Sequence, residues 1–425
     1  MEKVYVLAAF DWLVGEEKIG VLGYESLRGS DVFTFEYDRK WLEKHSNIFL
    51  SSDLMPFSGV QYSKDNKIFR CFSDSLPDRW GRKLIEIRST LAERTMKGRQ
   101  RLTDWDYLKG VEDFLRMGAF RFQDIHTGKF IRESTHLTIP PIMDIRELLD
   151  ASVEVEKSEL NHVTPEEKWI YRLFNPGTSM GGARPKACVK KDAEVYLAKF
   201  PSIRDEYDIS AWENFAHLMA KDCGIDVADT ELIEGNDRGH ILLSKRFDRK
   251  TDGSRVHMAS SLTLLGLQDG AGQRTGNGYL DIVDFLVSYG GNNVDDCLEE
   301  LYRRIAFNIC IGNTDDHFRN HSFLLTKDGW NLAPAYDLNP TNAWYQSLLI
   351  NESSSDSDLD ELYDSHEDYM LDEKTAYGII KDVTNNVKYW KSIAFKAGVP
   401  KNELGIFSNR IDEGIQWRYG GGLHR

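Results

Sequence analysis

Between Val294 and Asp337 three local signals follow one another without a gap, and they constrain the fold more than any other stretch. Val294, Leu298, Leu301, Ile305 and Ile309 fall on one face at helical spacing. Gly312–Asn313 then offers a left-handed cap that ends the helix. The polar loop Asn313–Asn320, N-T-D-D-H-F-R-N, comes next. A strand at His321–Leu325, an Asp-Gly turn within Lys327–Gly329 and a strand at Trp330–Ala333 predict a hairpin. That hairpin returns Ala335-Tyr336-Asp337 to the neighbourhood of Asn320.

Asp315 and Asn320 stand in the order D-x-x-x-x-N. Protein kinases use this spacing in the catalytic loop, where the Asp accepts the proton of the attacking hydroxyl and the Asn holds a magnesium ion. Asp337 arrives through a hairpin, as the second metal-binding Asp of a kinase does. Phosphoryl transfer asks little covalent help of a protein; it needs Mg²⁺ on the phosphate oxygens and an oriented hydroxyl. Mg²⁺ prefers hard oxygen ligands, which Asn320 and Asp337 supply. On spacing alone, a solvated turn after a helix cap remains open for Asp315 and Asp316. The hairpin and Asp337 strengthen the catalytic reading and leave that alternative open.

Upstream, Ser179–Lys186 is a glycine-bearing loop before a strand at Ala187–Lys190. Adjacent Gly181 and Gly182 let backbone N–H groups approach a phosphate. The loop is neither a Walker A motif nor G-x-G-x-x-G, and an ordinary glycine turn fits it as well. In Glu194–Phe200, Lys199 shares a strand face with Val195 and Leu197. It suits either a lysine that neutralises ATP phosphates or a strand end that snorkels to water. On the next helix, near Ser210–Asp222, Glu213 fits an ion pair with Lys199 or a capping box with Ser210. Ile241–Phe247 is a strand leading into Asp248–Arg249, placed to link two lobes or simply to be buried.

A chain of 425 residues is too long for one core. Three blocks are expected: a small α/β domain over 1–125, a connection and strand-rich lobe over 126–248, and a mostly helical lobe over 249–425. The fold class is therefore α+β. Within the second block, 126–165 reads as a polar connection. Five scattered cysteines, never CxxC, point to a reducing cytoplasm and away from disulfides or zinc. No run of about 18 apolar residues suggests a membrane span. Met1–Gly15 reads as a first strand rather than a signal peptide. A formal charge of −15 argues against strong nucleic-acid binding by this chain alone. Ser353–Asp358 reads as an exposed loop.

Taken together, these pieces resemble the HipA family of toxin kinases. The matching motifs run in the family's order: S-x-x-G-A-x-x-K (Ser179, Gly182, Ala183, Lys186), the strand Lys199, the helix start Glu213-Asn214, R-F-D-R at Arg246–Arg249, T-D-x-H-x-x-N at Thr314–Asn320, and P-x-Y-D at Pro334–Asp337. Tyr37–Leu42 (Y-D-x-x-W-L) and Leu76–Gly81 (L-P-D-x-W-G) resemble the family's small N-terminal domain. The resemblance implies a two-lobed, protein-kinase-like domain behind that small domain. It implies ATP and Mg²⁺ as cofactors and Asp315 as the catalytic Asp. Asn320 and Asp337 become the metal ligands, Lys199 the phosphate lysine, and Gly181, Gly182, Ala183 and Lys186 the phosphate loop. Lys245 and Phe247 line the adenine hinge, and Ser179 is the serine whose autophosphorylation silences the kinase. Lys245 stands where the family often has Glu, and Arg184 where it has Gln. A HipB-like DNA-binding antitoxin and an aminoacyl-tRNA synthetase substrate are the implied partners, with DNA met only through the antitoxin. An idle ATP-binding co-repressor and a small-molecule or lipid kinase remain alternatives.

Overall fold

In a computed structural model, residues 1–93, 101–133, 139–177 and 182–419 are described. Ser179 and Gly181 lie outside these residues. The chain is α+β, as expected, and divides into two compact units: Met1–Arg204 with Leu243–Ala259, and Asp205–Leu242 with Ser260–Arg425. No helix among the described residues is long and apolar enough to cross a membrane.

The first unit is built on a five-stranded sheet. Its strands are β1 (Glu2–Ala8), β2 (Glu17–Leu27), β3 (Ser30–Tyr37), β4 (Val60–Tyr62) and β5 (Phe120–Asp124), in the order β4-β3-β2-β1-β5. Each neighbouring pair is antiparallel. Val4, Val6 and Ala8 are buried in alternation along β1, the period-2 pattern of a sheet with one covered face. Asp38, the second residue of the family-like Y-D-x-x-W-L stretch, caps helix Arg39–His45 by accepting from the Lys40 amide. Trp41 on that helix is buried and packs edge-on to Phe10.

The polar connection expected over 126–165 is corrected. A 16-residue helix, Ile145–Leu160, occupies much of it, and a second helix, Glu167–Gly177, follows where strand and loop were expected. Ile145, Leu148, Leu149, Ser152 and Val155 form one buried stripe. Between them stand enough Glu and Lys that average polarity hides the period. The two strands beyond, Lys186–Lys191 and Glu194–Lys199, pair antiparallel as the sequence suggested.

In the second unit the helix Val294–Ile311 is central. Leu298, Leu301, Ile305 and Ile309 are buried on it, each contributing about 1.5–3 kcal/mol. Helices Tyr279–Tyr289, Glu373–Val387 and Ser408–Gly414 pack around it. It ends at Gly312 in the left-handed region (φ +76°), where a Cβ would meet the Arg410 Cγ at 2.7 Å and the Thr341 carbonyl at 2.8 Å. Only glycine fits that stop. The expected hairpin forms as Ser322–Thr326 paired with Gly329–Leu332. Ser353–Asp358 is tied down more than an exposed loop would be. Ser354 and Ser355 carbonyls accept from the Ile350 and Gln346 amides, and Ser357 is buried against Arg410.

Candidate functional site

The loop after Gly312 is organised by a residue that the spacing argument did not single out. Asp316 is buried, and its Oδ2 accepts from Tyr279 Oη at 2.7 Å, Asn308 Nδ2 at 2.8 Å and His321 Nε2 at 2.8 Å. Burial pushes its carboxyl up, but His321 and Tyr279 hold it below the usual carboxylate range. An ionised carboxylate only accepts, so the His321 ring donates through Nε2, and its Nδ1 has no partner among the described residues. Asn308 also receives Asn313: Asn313 Nδ2 donates to Asn308 Oδ1 at 3.0 Å and the Asn313 amide to the Asn308 carbonyl at 2.9 Å. The Thr314 carbonyl accepts from the Ser347 amide and hydroxyl, and its hydroxyl meets that of Thr341 at 2.7 Å.

This scaffold leaves Asp315 facing outward. Its side chain is exposed, whereas its carbonyl accepts from the His317 amide and from Asn320 Nδ2, each at 3.1 Å. Partial desolvation and the like charges of Asp337 and Asp316 raise the Asp315 carboxyl above its ordinary range, against the pull of His317. Adjacent aspartates thus have opposite environments, one a buried anchor and one a solvent-facing carboxylate.

Asp337 comes in from the hairpin. Ala335 is clamped by the Asp226 carbonyl and the Ala228 amide, and Tyr336 donates from Oη to the Arg319 carbonyl at 2.7 Å. Asp337 itself has φ +59°, a left-handed conformation that a non-glycine residue adopts at a cost of about 1–2 kcal/mol. Asn339 Nδ2 donates to Asp337 Oδ1 at 3.3 Å. Asp315, Asn320 and Asp337 are therefore gathered in one unit. Asn320 spends its amide N–H on Asp315 and keeps Oδ1 as an acceptor, and Asp337 offers a carboxylate. Both donors are hard oxygens. No group of three or more His, Cys, Asp or Glu able to hold a metal occurs among the described residues.

The other expected residues lie in the first unit. Lys186 and Lys199 stand directly opposite each other on the paired strands, and both are buried. Two lysines at one spot favour an anionic neighbour. Lys186 Nζ lies 3.4 Å from Asp78 Oδ2. Gly182 has φ +103°, and a Cβ there would meet Lys186 Nζ at 2.6 Å, so the lysine head lies over the glycine. Ala183 continues the same turn. The L-P-D-x-W-G stretch braces this loop: the Trp80 amide donates to the Gly182 carbonyl at 3.3 Å and Trp80 Nε1 to the Lys186 carbonyl at 3.0 Å. Lys245 ends the strand Gly239–Lys245 and is ion-paired with Glu194; Phe247, two residues on, is half-buried.

Two motif readings resolve into structure. R-F-D-R is a buried brace. Arg246 grips Asp248 through Nε at 2.9 Å and Nη2 at 2.8 Å, while Arg249 Nη1 reaches Asp248 at 3.0 Å and the Gly118 carbonyl at 2.9 Å. Burial alone would raise Asp248; the two guanidiniums lower it to about 2. The capping box at Ser210 does not form. Asp208 caps helix Ile209–Asp222 instead, accepting from the Ala211 amide at 3.0 Å. Glu213 is buried 3.8 Å from His217 Nε2.

Residues 178–390 match the HipA-like C-terminal domain, and residues 11–103 match the HipA N-terminal domain. A kinase-named protein of Haemophilus influenzae is 29% identical over 197 residues, 41% of this chain and 57% of that protein. The chain thus spans little more than half of that relative. The serine/threonine-protein kinase toxin HipA of Shewanella oneidensis is 22% identical over 353 residues, 76% of this chain and 73% of that protein. A chain of the S. oneidensis complex of HipA, HipB and operator DNA shares the fold, with a TM-score of 0.68 over 97% of this chain and 96% of that chain at 16% identity. With both domains matched in order, the chain belongs to the HipA family.

Proposed function

We propose that this HipA-family chain is an ATP-dependent serine/threonine protein kinase and the toxin of a toxin–antitoxin pair. The observation that carries the reading is the contrast between Asp316 and Asp315. Three buried donors fix one carboxylate and thereby present its neighbour to solvent beside Asp337 and Asn320. Asp315 orients the substrate hydroxyl and accepts its proton as the phosphoryl group leaves ATP for the oxygen. A raised Asp315 carboxyl makes it a better proton acceptor, since basicity follows pKa. Asn320 Oδ1 and Asp337 would hold Mg²⁺, which when bound neutralises charge on the phosphates. Lys199 and Lys186 supply positive charge for those phosphates. Lys245 and Phe247 would border the adenine.

Ser179 is proposed as a self-inactivation site, with Gly181 among the phosphate-loop glycines. The partner is a HipB-like DNA-binding antitoxin, by analogy with the complex formed by the S. oneidensis protein. The substrate is a translation component such as an aminoacyl-tRNA synthetase, and the chain works in the cytoplasm. Induced expression in a bacterial host tests this. Growth arrest is expected from the wild type and none from Asp337→Asn, with new phosphoserine or phosphothreonine only in wild-type cells. Equal arrest by both proteins would refute the kinase-toxin reading.

A further inference from the structure

Asn320 and Asp337 come from different segments, and one side chain ties those segments together. Tyr336 directly precedes Asp337, and its Oη donates at 2.7 Å to the carbonyl of Arg319, which directly precedes Asn320. The same Oη meets Ser322 Oγ, two residues beyond Asn320. A phenol carries one proton, and a backbone carbonyl can only accept it. The Tyr336 proton is therefore spent on Arg319, and the Ser322 hydroxyl donates to Tyr336 Oη. One oxygen thus holds the chain on both sides of Asn320 from the residue next to Asp337.

The hydrogen bonds that Asn320 makes are local. Its amide donates to the His317 carbonyl at 2.8 Å, and its Nδ2 to the Asp315 carbonyl at 3.1 Å. They fix it within its own loop. Asp337 receives Asn339, two residues on, at 3.3 Å. Its left-handed backbone, at φ +59°, persists in a non-glycine residue where the surroundings enforce it. Along the chain the two residues are joined through the hairpin of Ser322–Thr326 and Gly329–Leu332. The Tyr336 hydroxyl closes that path across its open end. Ser322, one of its two partners, is buried, so this junction is built into the packed side of the loop.

We propose that Tyr336 is a positioning residue for the metal site, its hydroxyl setting the separation of Asn320 Oδ1 from the Asp337 carboxylate. It supplies no ligand and moves no proton. The inference rests on the proposal that Asn320 and Asp337 hold Mg²⁺. Partners that orient metal ligands from behind are typically worth about 10- to 100-fold in metal affinity.

Mn²⁺ titrated into the full chain loaded with a non-hydrolysable ATP analogue, followed by electron paramagnetic resonance, reads metal affinity without turnover. Tyr336→Phe removes the hydroxyl and keeps the ring. It should bind Mn²⁺ about 10- to 100-fold more weakly than wild type, with unchanged affinity for the analogue in the absence of metal. Ser322→Ala leaves the bond to Arg319 in place and should fall between the two. Wild-type Mn²⁺ affinity in Tyr336→Phe, or an equal loss of metal-free analogue binding, would overturn the assignment. Should Tyr336→Phe not fold, Ser322→Ala decides, and wild-type Mn²⁺ affinity in that variant would overturn it. Asp337→Asn tests the underlying site separately and should abolish Mn²⁺ binding. Equal Mn²⁺ binding by Asp337→Asn and wild type, or none by either, would remove the metal-site reading and the role of Tyr336 with it.

Discussion

Replacing Asp316 by Asn should cost much of the stability of the second unit, whereas the same change at Asp315 should cost almost none. Asp316 Oδ2 takes three donors in a buried site, at 2.7, 2.8 and 2.8 Å. Hydrogen bonds to a charged partner contribute about 1.5–3 kcal/mol each, and a side chain of the same shape retains part of that. Asn keeps one oxygen but removes the charge and can turn its own N–H groups toward three donors. A loss of about 3–5 kcal/mol follows, comparable to breaking a buried ion pair. Asp315 is exposed, and the like charges of Asp337 and Asp316 are set against His317. Its neutralisation should change stability by no more than about 0.5 kcal/mol. Urea unfolding of the two variants, followed by tryptophan fluorescence, gives both values. If Asp316→Asn unfolded at the wild-type midpoint with an unchanged slope, the carboxylate would not hold the loop, and the account of how Asp315 is presented would fail.

Three further outcomes follow from the same geometry. Gly312→Ala should lose about 2–4 kcal/mol in urea unfolding, because a positive φ and close contacts with Arg410 and Thr341 act together. Burial lowers His257 from 6.5 to about 3, so the folded state refuses a proton that the unfolded chain binds. Stability should therefore decline below pH 6.5 by about 1.4 kcal/mol per unit on this group's account. Wild type should lose more than His257→Gln between pH 7 and pH 5, and identical losses would exclude His257 as the cause. Asp78→Ala strips Lys186 of a buried counter-ion and should cost about 2–4 kcal/mol, with weaker binding of a fluorescent ATP analogue. Unchanged affinity would separate that ion pair from nucleotide binding.

Much of the second unit was legible because its signals are local. The apolar period of Val294–Ile311, the Gly312 stop and the Asp-Gly hairpin each lie within a few residues, and each forms where the sequence put it. What could not be read depends on distant partners. Asp316 and Asp315 are adjacent and chemically identical; Asn308 and His321 nearby and Tyr279, 37 residues back, decide which is buried. R-F-D-R could be a hinge on sequence alone, and its bonds to 115–118 turn it into a brace. Ser210 and Asp208 are both acceptable caps, and the Ala211 amide takes Asp208. The helix Ile145–Leu160 was missed for a different reason. Its stripe is plain once the period is counted, but average polarity masked it.

The central claim is that Asp315 serves phosphoryl transfer, and incubating the purified chain with Mg²⁺ and γ-labelled ATP beside Asp315→Asn tests it most directly. The account predicts label on wild type, none on Asp315→Asn, and equal melting temperatures for the two. Label of equal intensity on the folded Asp315→Asn protein would contradict it.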